Sequence, residues 1–590
     1  MAIKGKNMKN RCFFVVFWGI VLFFAVSVAT KCEAATGGGR DNFRPVELKN
    51  TENQADYIAI IPDNFAETLY PLLDYRAEEG FKVAMVTLSD IQKEFEIYGS
   101  GPEPIRSFVK YAYFHWKKPA PEYLLLVGDA QEQSATTTSD IQIPTGLYPS
   151  IYEQPGNDVK KWRGKKQIPK SEQEMIASDS VYADMDGDGL PEIAVGRLPA
   201  DTPAEVTSMV TKILNYEKNP PAGRWKTRIN FFASEGHFGS IDKLIEKIFK
   251  SMVRNNISPV FDLSMTYANP EMPYFYIPEK FNDKVIDRIN EGSLVLNYIG
   301  HGTTAGLDDV YWKDKRYPIL EAKDVAKLDT GGRSPFLIII ACLTGNYDAM
   351  GRESISELIM KKENGPVGII SASVVSQPTF NGILSKELAT AIFKNKTERI
   401  GSAFSAAQIG IVKGEKDEDR KLLDRFTATL TKPEDIQRHM IEAVFMYNLI
   451  GDPATKIAYP AGNIEMTVPE IATAGDKIIV TGKAEGVTEG EVEIALECPM
   501  VNTIYPILPI DNLSGDELNE TIAKNYVNAN NKTAWSGKAE LRNGEFKAEV
   551  MIPDWLPKMI YYVKAYAAGQ GKDAAGAVQV KIRAKVESAK

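Results

Sequence analysis

At 590 residues the chain is too long for a single hydrophobic core, so two to four domains are expected. Charged residues at 25% and hydrophobic residues at 44% are ordinary for a soluble globular protein. A net charge of -9, with no basic run in the body of the chain to neutralise phosphates, argues against a nucleic-acid partner, and the sequence carries no zinc-finger spacing, phosphate-binding glycine loop or internal repeat.

The amino end carries Lys4, Lys6, Lys9 and Arg11, then an apolar run from Cys12 to Ala29, then Cys32-Glu33-Ala34-Ala35. A charged start, an apolar middle and a small-residue exit read as a secretory signal over residues 1–34, cleaved after Ala34 or Ala35. The product is expected to be secreted or held at the cell surface. The run is also long enough for an uncleaved anchor, and only in that form is the chain expected to meet a membrane. Loss of the signal leaves Cys342 and Cys498, expected in different domains and unbridged, so an exported chain with so few thiols relies on its core.

Residues 35–55 are glycine-bearing and polar, and read as a linker. Residues 56–222 read as an α/β subdomain. Strands at Tyr57–Pro62, Phe81–Leu88 and Tyr123–Val127 alternate with helices at Phe65–Glu79 and Pro104–Trp116, the pattern of a parallel sheet with crossover helices. Gln133–Ser171 is polar and turn-rich, an irregular insertion. After it come Asp184, Asp186 and Asp188 at alternate positions, then Gly189 and Glu192. Oxygen ligands so spaced can wrap Ca²⁺, as in the first half of an EF-hand loop, although Glu192 arrives three positions too early for that loop's last ligand. An acidic turn without metal is the alternative.

Asn219-Pro220-Pro221 marks the boundary to a second α/β subdomain, residues 223–460. Within it, Leu294–Ile299 and Phe336–Ala341 are apolar and partly β-branched, and read as strands buried on both faces of a parallel sheet. The first runs into Gly300-His301-Gly302 and the second into Cys342-Leu343-Thr344. Carboxyl ends of neighbouring parallel strands share one crevice, so a thiol and an imidazole are expected to meet there. An imidazole that takes the thiol proton yields a thiolate able to attack carbonyl carbon. The backbone N–H groups of Cys342 and Gly302 would then receive the oxyanion. Glu235, at the end of the strand Arg228–Ser234, is suited to hold the second ring nitrogen. Helices at Ile383–Lys394, Ile400–Lys413 and Pro433–Tyr447 close the subdomain.

Gly300-His301-Gly302, Ala341-Cys342-Leu343-Thr344-Gly345-Asn346-Tyr347-Asp348 and Pro366–Ser373 resemble the gingipain-type cysteine peptidases, relatives of caspases. The resemblance runs from about Tyr57 to Ile457, with Tyr123–Asp129, Ile193–Arg197 and Gly451-Asp452-Pro453 as further matching blocks. It implies an α/β fold of mostly parallel sheets with flanking helices in two subdomains, followed directly by an all-β immunoglobulin-like sandwich. It implies Cys342 as nucleophile, His301 as general base, and Glu235 as partner of the histidine, standing in Ser234-Glu235-Gly236 where the family has Ala-Glu-Gly. Asp242 is the nearest match to a family aspartate that receives a basic substrate side chain, and it equally suits a helix cap. Phe380 matches an aromatic pocket wall, beside a local Ser376-Gln377-Pro378 that departs from the family pattern. Members bind calcium, which favours the metal reading of Asp184, Asp186, Asp188 and Glu192; the chemistry itself requires no cofactor.

From residue 461 to 590 the texture changes to short alternating segments separated by Gly, Asn and Pro, the signature of an antiparallel β-sandwich of immunoglobulin size. Asn512–Lys532 is a polar insertion, and Cys498 reads as a packed strand residue. Two functions follow. One is an exported cysteine endopeptidase acting on protein or peptide substrates, with a basic residue before the scissile bond. The other is an inactive cell-surface binding or scaffold protein on the same fold, with Cys342 unreactive. Cys342, His301 and Glu235 together favour the enzyme, since a scaffold has no physical need of that trio.

Overall fold

The apolar runs of the sequence become the strands of one ten-stranded sheet in the computed structural model, which describes residues 43–98, 101–130, 142–150, 175–236, 240–349 and 351–584. The chain divides into two units after Glu47, and of the first only residues 43–47 are described. The predicted signal over residues 1–34 therefore lies outside the described residues. Among those described, no helix is long and apolar enough to cross a membrane.

Strands β1 (Tyr57–Ile61), β2 (Val83–Thr87), β3 (Tyr123–Val127) and β4 (Ala194–Leu198) come from the first predicted subdomain. Strands β5 (Arg228–Ala233), β6 (Asp262–Tyr267), β7 (Val295–Ile299), β8 (Phe336–Ile340), β9 (Gly368–Ala372) and β10 (Tyr447–Ile450) come from the second. Their order is β6-β5-β7-β8-β9-β10-β4-β3-β1-β2. Strand β10 joins the halves, lying antiparallel to β9 and parallel to β4. Two sheets were expected; the reversed strand fuses them into one mixed sheet. Strands β1, β3, β8 and β9 are buried along their whole length, as their unbroken apolar runs require.

The sheet is flanked by α1 (Ala66–Glu78), α2 (Leu88–Phe95), α3 (Glu103–His115), α4 (Pro203–Lys218), α5 (Ser240–Asn256), α6 (Phe281–Asn290), α7 (Ile355–Lys361), α8 (Pro378–Ala389), α9 (Ile400–Lys413), α10 (Glu418–Leu430) and α11 (Pro433–Met446). The predicted linker ends sooner than expected. Leu48 and Ala55 are buried in one core with Phe95, Phe108 and Trp116, and the Trp116 indole donates to the Leu48 carbonyl at 2.9 Å.

The carboxyl-terminal region holds β11 (Gly462–Thr467), β12 (Ile471–Thr473), β13 (Lys477–Ala484), β14 (Gly490–Glu497), β15 (Thr533–Leu541), β16 (Glu545–Met551), β17 (Met559–Gly569) and β18 (Lys572–Arg583). Where two face-to-face sheets were expected, pairing runs along one nearly closed sheet, β15-β14-β17-β18-β11-β13-β16, with β12 on β18. Asn543 and Gly544, both at positive φ, turn β15 into β16, so the two ends of that path are consecutive in the chain. The polar insertion forms a helix, α12 (Gly515–Asn530).

Helix α7 matters most for the crevice. Its first turn carries a Ser354–Glu357 capping box, and its remaining orphan donors leave the helix: Ile355 N–H donates to the Thr304 carbonyl at 2.8 Å and Ser356 N–H to that of Thr344 at 3.2 Å. The loops after β7 and β8 are thereby pinned to one helix end. Burial, then the adjacent Asp129 carboxylate, push Glu357 well above the usual carboxylate range. The other end of α7 is capped by Lys212 of α4, which donates to the Met360 and Lys362 carbonyls at 2.5 and 2.9 Å.

Lys212 has two acceptors and is nearly inaccessible, and burial pulls it down to about 7. A neutral amine has two N–H donors, which match these two carbonyls. Between the folded value and roughly 10.4 for an unfolded lysine, the unfolded chain binds a proton that the folded chain does not, so Lys212 makes stability rise with pH across that window. Lys212→Met is expected to lose that rise: from pH 7 to pH 9, wild type should gain about 2 kcal/mol on the variant in urea unfolding. A constant difference would refute the assignment.

Candidate active site

Strand register builds this site. Ala233 of β5, Ile299 of β7 and Ile340 of β8 stand abreast in the parallel ladder. Pairing continues one residue further, through Ser234 N–H to the Ile299 carbonyl at 3.0 Å and Gly300 N–H to the Ile340 carbonyl at 3.2 Å. Glu235, His301 and Cys342 each lie two residues beyond that row, on chains roughly 4.8 Å apart. All three chains therefore leave the sheet at the same edge. Cys342 is half-buried and His301 is exposed. Gly302 lies directly on the cysteine loop: a Cβ there would sit 2.6 Å from Thr344 Cγ2, 2.9 Å from the Cys342 carbonyl oxygen and 3.0 Å from Ala341 Cβ.

The imidazole is oriented by backbone. His301 Nε2 lies 3.2 Å from the Gly236 carbonyl oxygen, which can only accept, so this contact assigns a proton to Nε2. Glu235, the expected partner of the ring, is the residue directly before Gly236 in the same loop. The histidine loop is further held by His301 N–H to Ser234 Oγ at 3.2 Å and by the Tyr298 hydroxyl donating to the His301 carbonyl at 2.7 Å. On the other side, the Cys342 thiol faces the Ser376 carbonyl at 3.6 Å, and Ser376 N–H donates to the sulfur at 3.4 Å. The Cys342 N–H donates to no acceptor among the described residues. Leu343 follows at φ +61°, a left-handed conformation costing a residue of this kind about 1–2 kcal/mol. Two bonds hold it there, Leu343 N–H to the Val374 carbonyl at 3.1 Å and Asn346 N–H to the Leu343 carbonyl at 3.2 Å.

The sequence matches the profile of the family described as Peptidase family C25 over residues 50–458. The chain belongs to peptidase family C25. It is 22% identical to Gingipain R2 of Porphyromonas gingivalis over 398 residues, covering 65% of this chain and 46% of that one. It is 25% identical to Lys-gingipain of the same species over 313 residues, covering 52% of this chain and 15% of that one. The chain thus spans less than half the length of these curated relatives. The crystal structure of the Arg specific cysteine proteinase gingipain R aligns with a TM-score of 0.47 at 16% identity, over 91% of this chain and all of that one.

Other predicted site residues of this C25 chain fall elsewhere. Phe380 is 2% exposed on α8, its ring 6.0 Å from that of His439, so it packs in the helix layer and walls no open pocket. An aromatic residue one turn into a covered helix is core before it is anything else. Asp242 lies in the first turn of α5, and its side chain is outside the described residues. Asp184, Asp186 and Asp188 do converge, offering ligand oxygens within 4.8 Å of one another. Glu192 is not in that group; it turns back to accept the Met185 N–H at 2.8 Å. The aspartates also accept N–H groups of their own loop, and Lys413 lies 3.0 Å from Asp188. An all-oxygen donor set of this kind suits a hard cation, with Lys413 as the competing positive charge.

Ser376 was passed over in the sequence, where its departure from the family pattern was the one available signal. Gly302→Ala is expected to force the Cys342 loop outward, at a cost of about 1–3 kcal/mol. Thermal unfolding checks this, and an unchanged midpoint would show that the close approach is not real.

Proposed function

We propose that this chain is an exported cysteine endopeptidase in which Cys342 attacks the peptide carbonyl and His301 Nδ1 takes the thiol proton. The observation that carries the reading is the shared register of β7 and β8, which end level with each other two residues before His301 and Cys342. With Nε2 directed at the Gly236 carbonyl, Nδ1 is the nitrogen assigned here the part of base. The unused Cys342 N–H, with Gly302 alongside, is the donor that would receive the oxyanion. The imidazolium then gives its proton to the leaving amine, and water, deprotonated by the same ring, releases the acyl group from sulfur. Glu235 stands in the loop that orients the ring. The name of one relative, Lys-gingipain, supports a basic residue before the scissile bond, with Asp242 as its carboxylate.

The calcium reading belongs to the same proposal. Asp184, Asp186 and Asp188 would hold the ion, which would neutralise three adjacent carboxylates and stiffen their loop, with no part in the bond-breaking steps.

A thiol-directed affinity label carrying a basic residue is expected to modify Cys342 at neutral pH, and peptide mapping locates the adduct. Cys342→Ala should lower hydrolysis of Arg- or Lys-containing peptides at least about a thousandfold, and His301→Ala should abolish both labelling and hydrolysis. An unlabelled Cys342 in the presence of calcium would favour the scaffold alternative. At a hundredfold excess over its dissociation constant, Ca²⁺ is expected to add about 2–3 kcal/mol to stability, seen as a higher melting midpoint that chelation reverses. Asp186→Asn should flatten that response; a variant that responds like wild type would remove these aspartates from consideration.

A further inference from the structure

Behind the Cys342 sulfur lies a small polar network that the chemistry above does not use. Ser376, 5% exposed and immediately before the N-cap of α8, brings its hydroxyl oxygen 3.9 Å from the sulfur, in addition to its N–H and carbonyl contacts. Asn381, one turn into α8, donates from Nδ2 to Ser376 Oγ at 2.9 Å. Tyr447, the first residue of β10, lies 2.8 Å from Asn381 Oδ1 and 3.2 Å from Ser376 Oγ.

Counting protons decides how this network works. Tyr447 has one, and the shorter contact assigns it to Asn381 Oδ1; burial pushes its hydroxyl well above the usual tyrosine range, so it stays protonated. Asn381 fills one acceptor position on Ser376 Oγ. The single proton of the Ser376 hydroxyl is then left with two acceptors, Tyr447 Oη and Cys342 Sγ. While the thiol is intact it donates its own proton to the Ser376 carbonyl, and the Ser376 hydroxyl can point to Tyr447. A thiolate has no proton to donate, and hydrogen bonds to an ionised acceptor are roughly twice as strong as neutral ones.

We propose that Ser376 is a catalytic residue of this site: when Cys342 ionises, the Ser376 hydroxyl turns its proton from Tyr447 to the sulfur and, with its own N–H, holds the thiolate. The proposal rests on the peptidase reading for its use but not for its test. The proton leaving sulfur goes to His301 Nδ1, the electron pair stays on sulfur, and only one O–H rotates, so no heavy atom moves. Asn381 and Tyr447 are positioning residues. Among the described residues, the titratable groups that neighbouring elements bring to this mouth are Glu235 after β5, His301 after β7 and Tyr447 of β10, so a hydroxyl effect must be read with all three in place.

The test is the pH profile of iodoacetamide alkylation of the full-length protein, with adducts mapped to Cys342 by mass spectrometry. Cys498 does not interfere, because burial pushes its thiol up to about 11. Ser376→Ala, which keeps the N–H and loses the hydroxyl, should move the alkylation midpoint up by about one pH unit and slow alkylation near pH 6 about tenfold, while Ser376→Thr restores the profile. Tyr447→Phe should move the midpoint down, because it removes the competing acceptor. A packing defect would not give opposite signs. A Ser376→Ala midpoint equal to that of wild type, a shift that Ser376→Thr does not reverse, or an upward shift in Tyr447→Phe would each overturn the proposal; should Ser376→Ala fail to fold by circular dichroism, the Tyr447→Phe sign decides. Peptide hydrolysis measured in parallel separates the two readings: a Ser376-dependent profile without hydrolysis defeats the peptidase and spares Ser376, and hydrolysis with an unmoved profile does the reverse.

Discussion

Everything at the mouth depends on the parallel ladder of β5, β7 and β8 keeping Ala233, Ile299 and Ile340 abreast. Side chains alternate along a strand, so a one-residue slip of β7 would send His301 to the opposite face from Cys342. What forbids the slip is that β7 is lined on both faces. Tyr298 is fully buried and spends its hydroxyl on the His301 carbonyl and the Asp308 N–H, at 2.7 and 3.3 Å. Trading places with Asn297 would bury a phenol without partners, a loss of about 1–3 kcal/mol before any packing is counted. Tyr298 therefore both fixes the register and ties down the loop that the register delivers.

A purely parallel sheet would bring only strand carboxyl ends to this edge. The reversed β10 adds an amino end, and with it Tyr447 opposite Ala372. The amino end of α8 arrives beside it, so the sulfur meets Ser376, the residue before the N-cap of that helix. The left-handed Leu343 follows from that crowding: the chain must leave β8 sharply enough for Gly302 to lie on the Cys342 carbonyl and for Leu343 to bond Val374. Strain of this kind persists where surrounding contacts over-determine the backbone.

The legible parts of the sequence were those where one local pattern served one purpose. β7 and β8 are unbroken apolar runs, and their ends were visible as His301 and Cys342 because small or polar residues follow at once. The start of β10 was not legible: the helical pattern of Pro433–Met446 runs into Tyr447 without a glycine or proline, and the turn from helix to strand is set by the partners β9 and β4. Phe380 misled because a helix whose side is covered by α11 and a loop over a crevice can carry the same residues. Leu48 and Ala55 looked like linker because two apolar residues among polar ones form no period, yet each enters a core assembled from Phe95, Phe108 and Trp116. The nearly closed sheet differs from a sandwich only in how β11 is shared between β13 and β18, which alternation along single strands does not encode.

The all-β region also has a physical reason to be fused to this sheet. Strand β6 is an edge, and an edge exposes N–H and C=O groups that invite another strand. Here Asn530 of α12 stands in for that strand: its Oδ1 accepts the Met265 N–H at 2.7 Å and its Nδ2 donates to the Met265 carbonyl at 2.9 Å. One turn earlier, Tyr526 lies 2.7 Å from Thr266 Oγ1 and accepts from Arg288 Nε at 3.0 Å. Lys564 of β17 donates to the Phe261 carbonyl, Asp262 and Glu497 at 2.8, 2.9 and 2.8 Å. Burial alone would raise Asp262, but Lys564 and Arg224 outweigh it and hold the carboxylate ionised. The bonds to Asp262, Met265 and Thr266 end on β6, the immediate neighbour of β5, and β5 runs into the Glu235-Gly236 segment whose carbonyl meets the ring of His301. Closing the edge and fixing the imidazole are thus one structural act, because the strand that needs a cover is a single ladder step from the strand that orients the base.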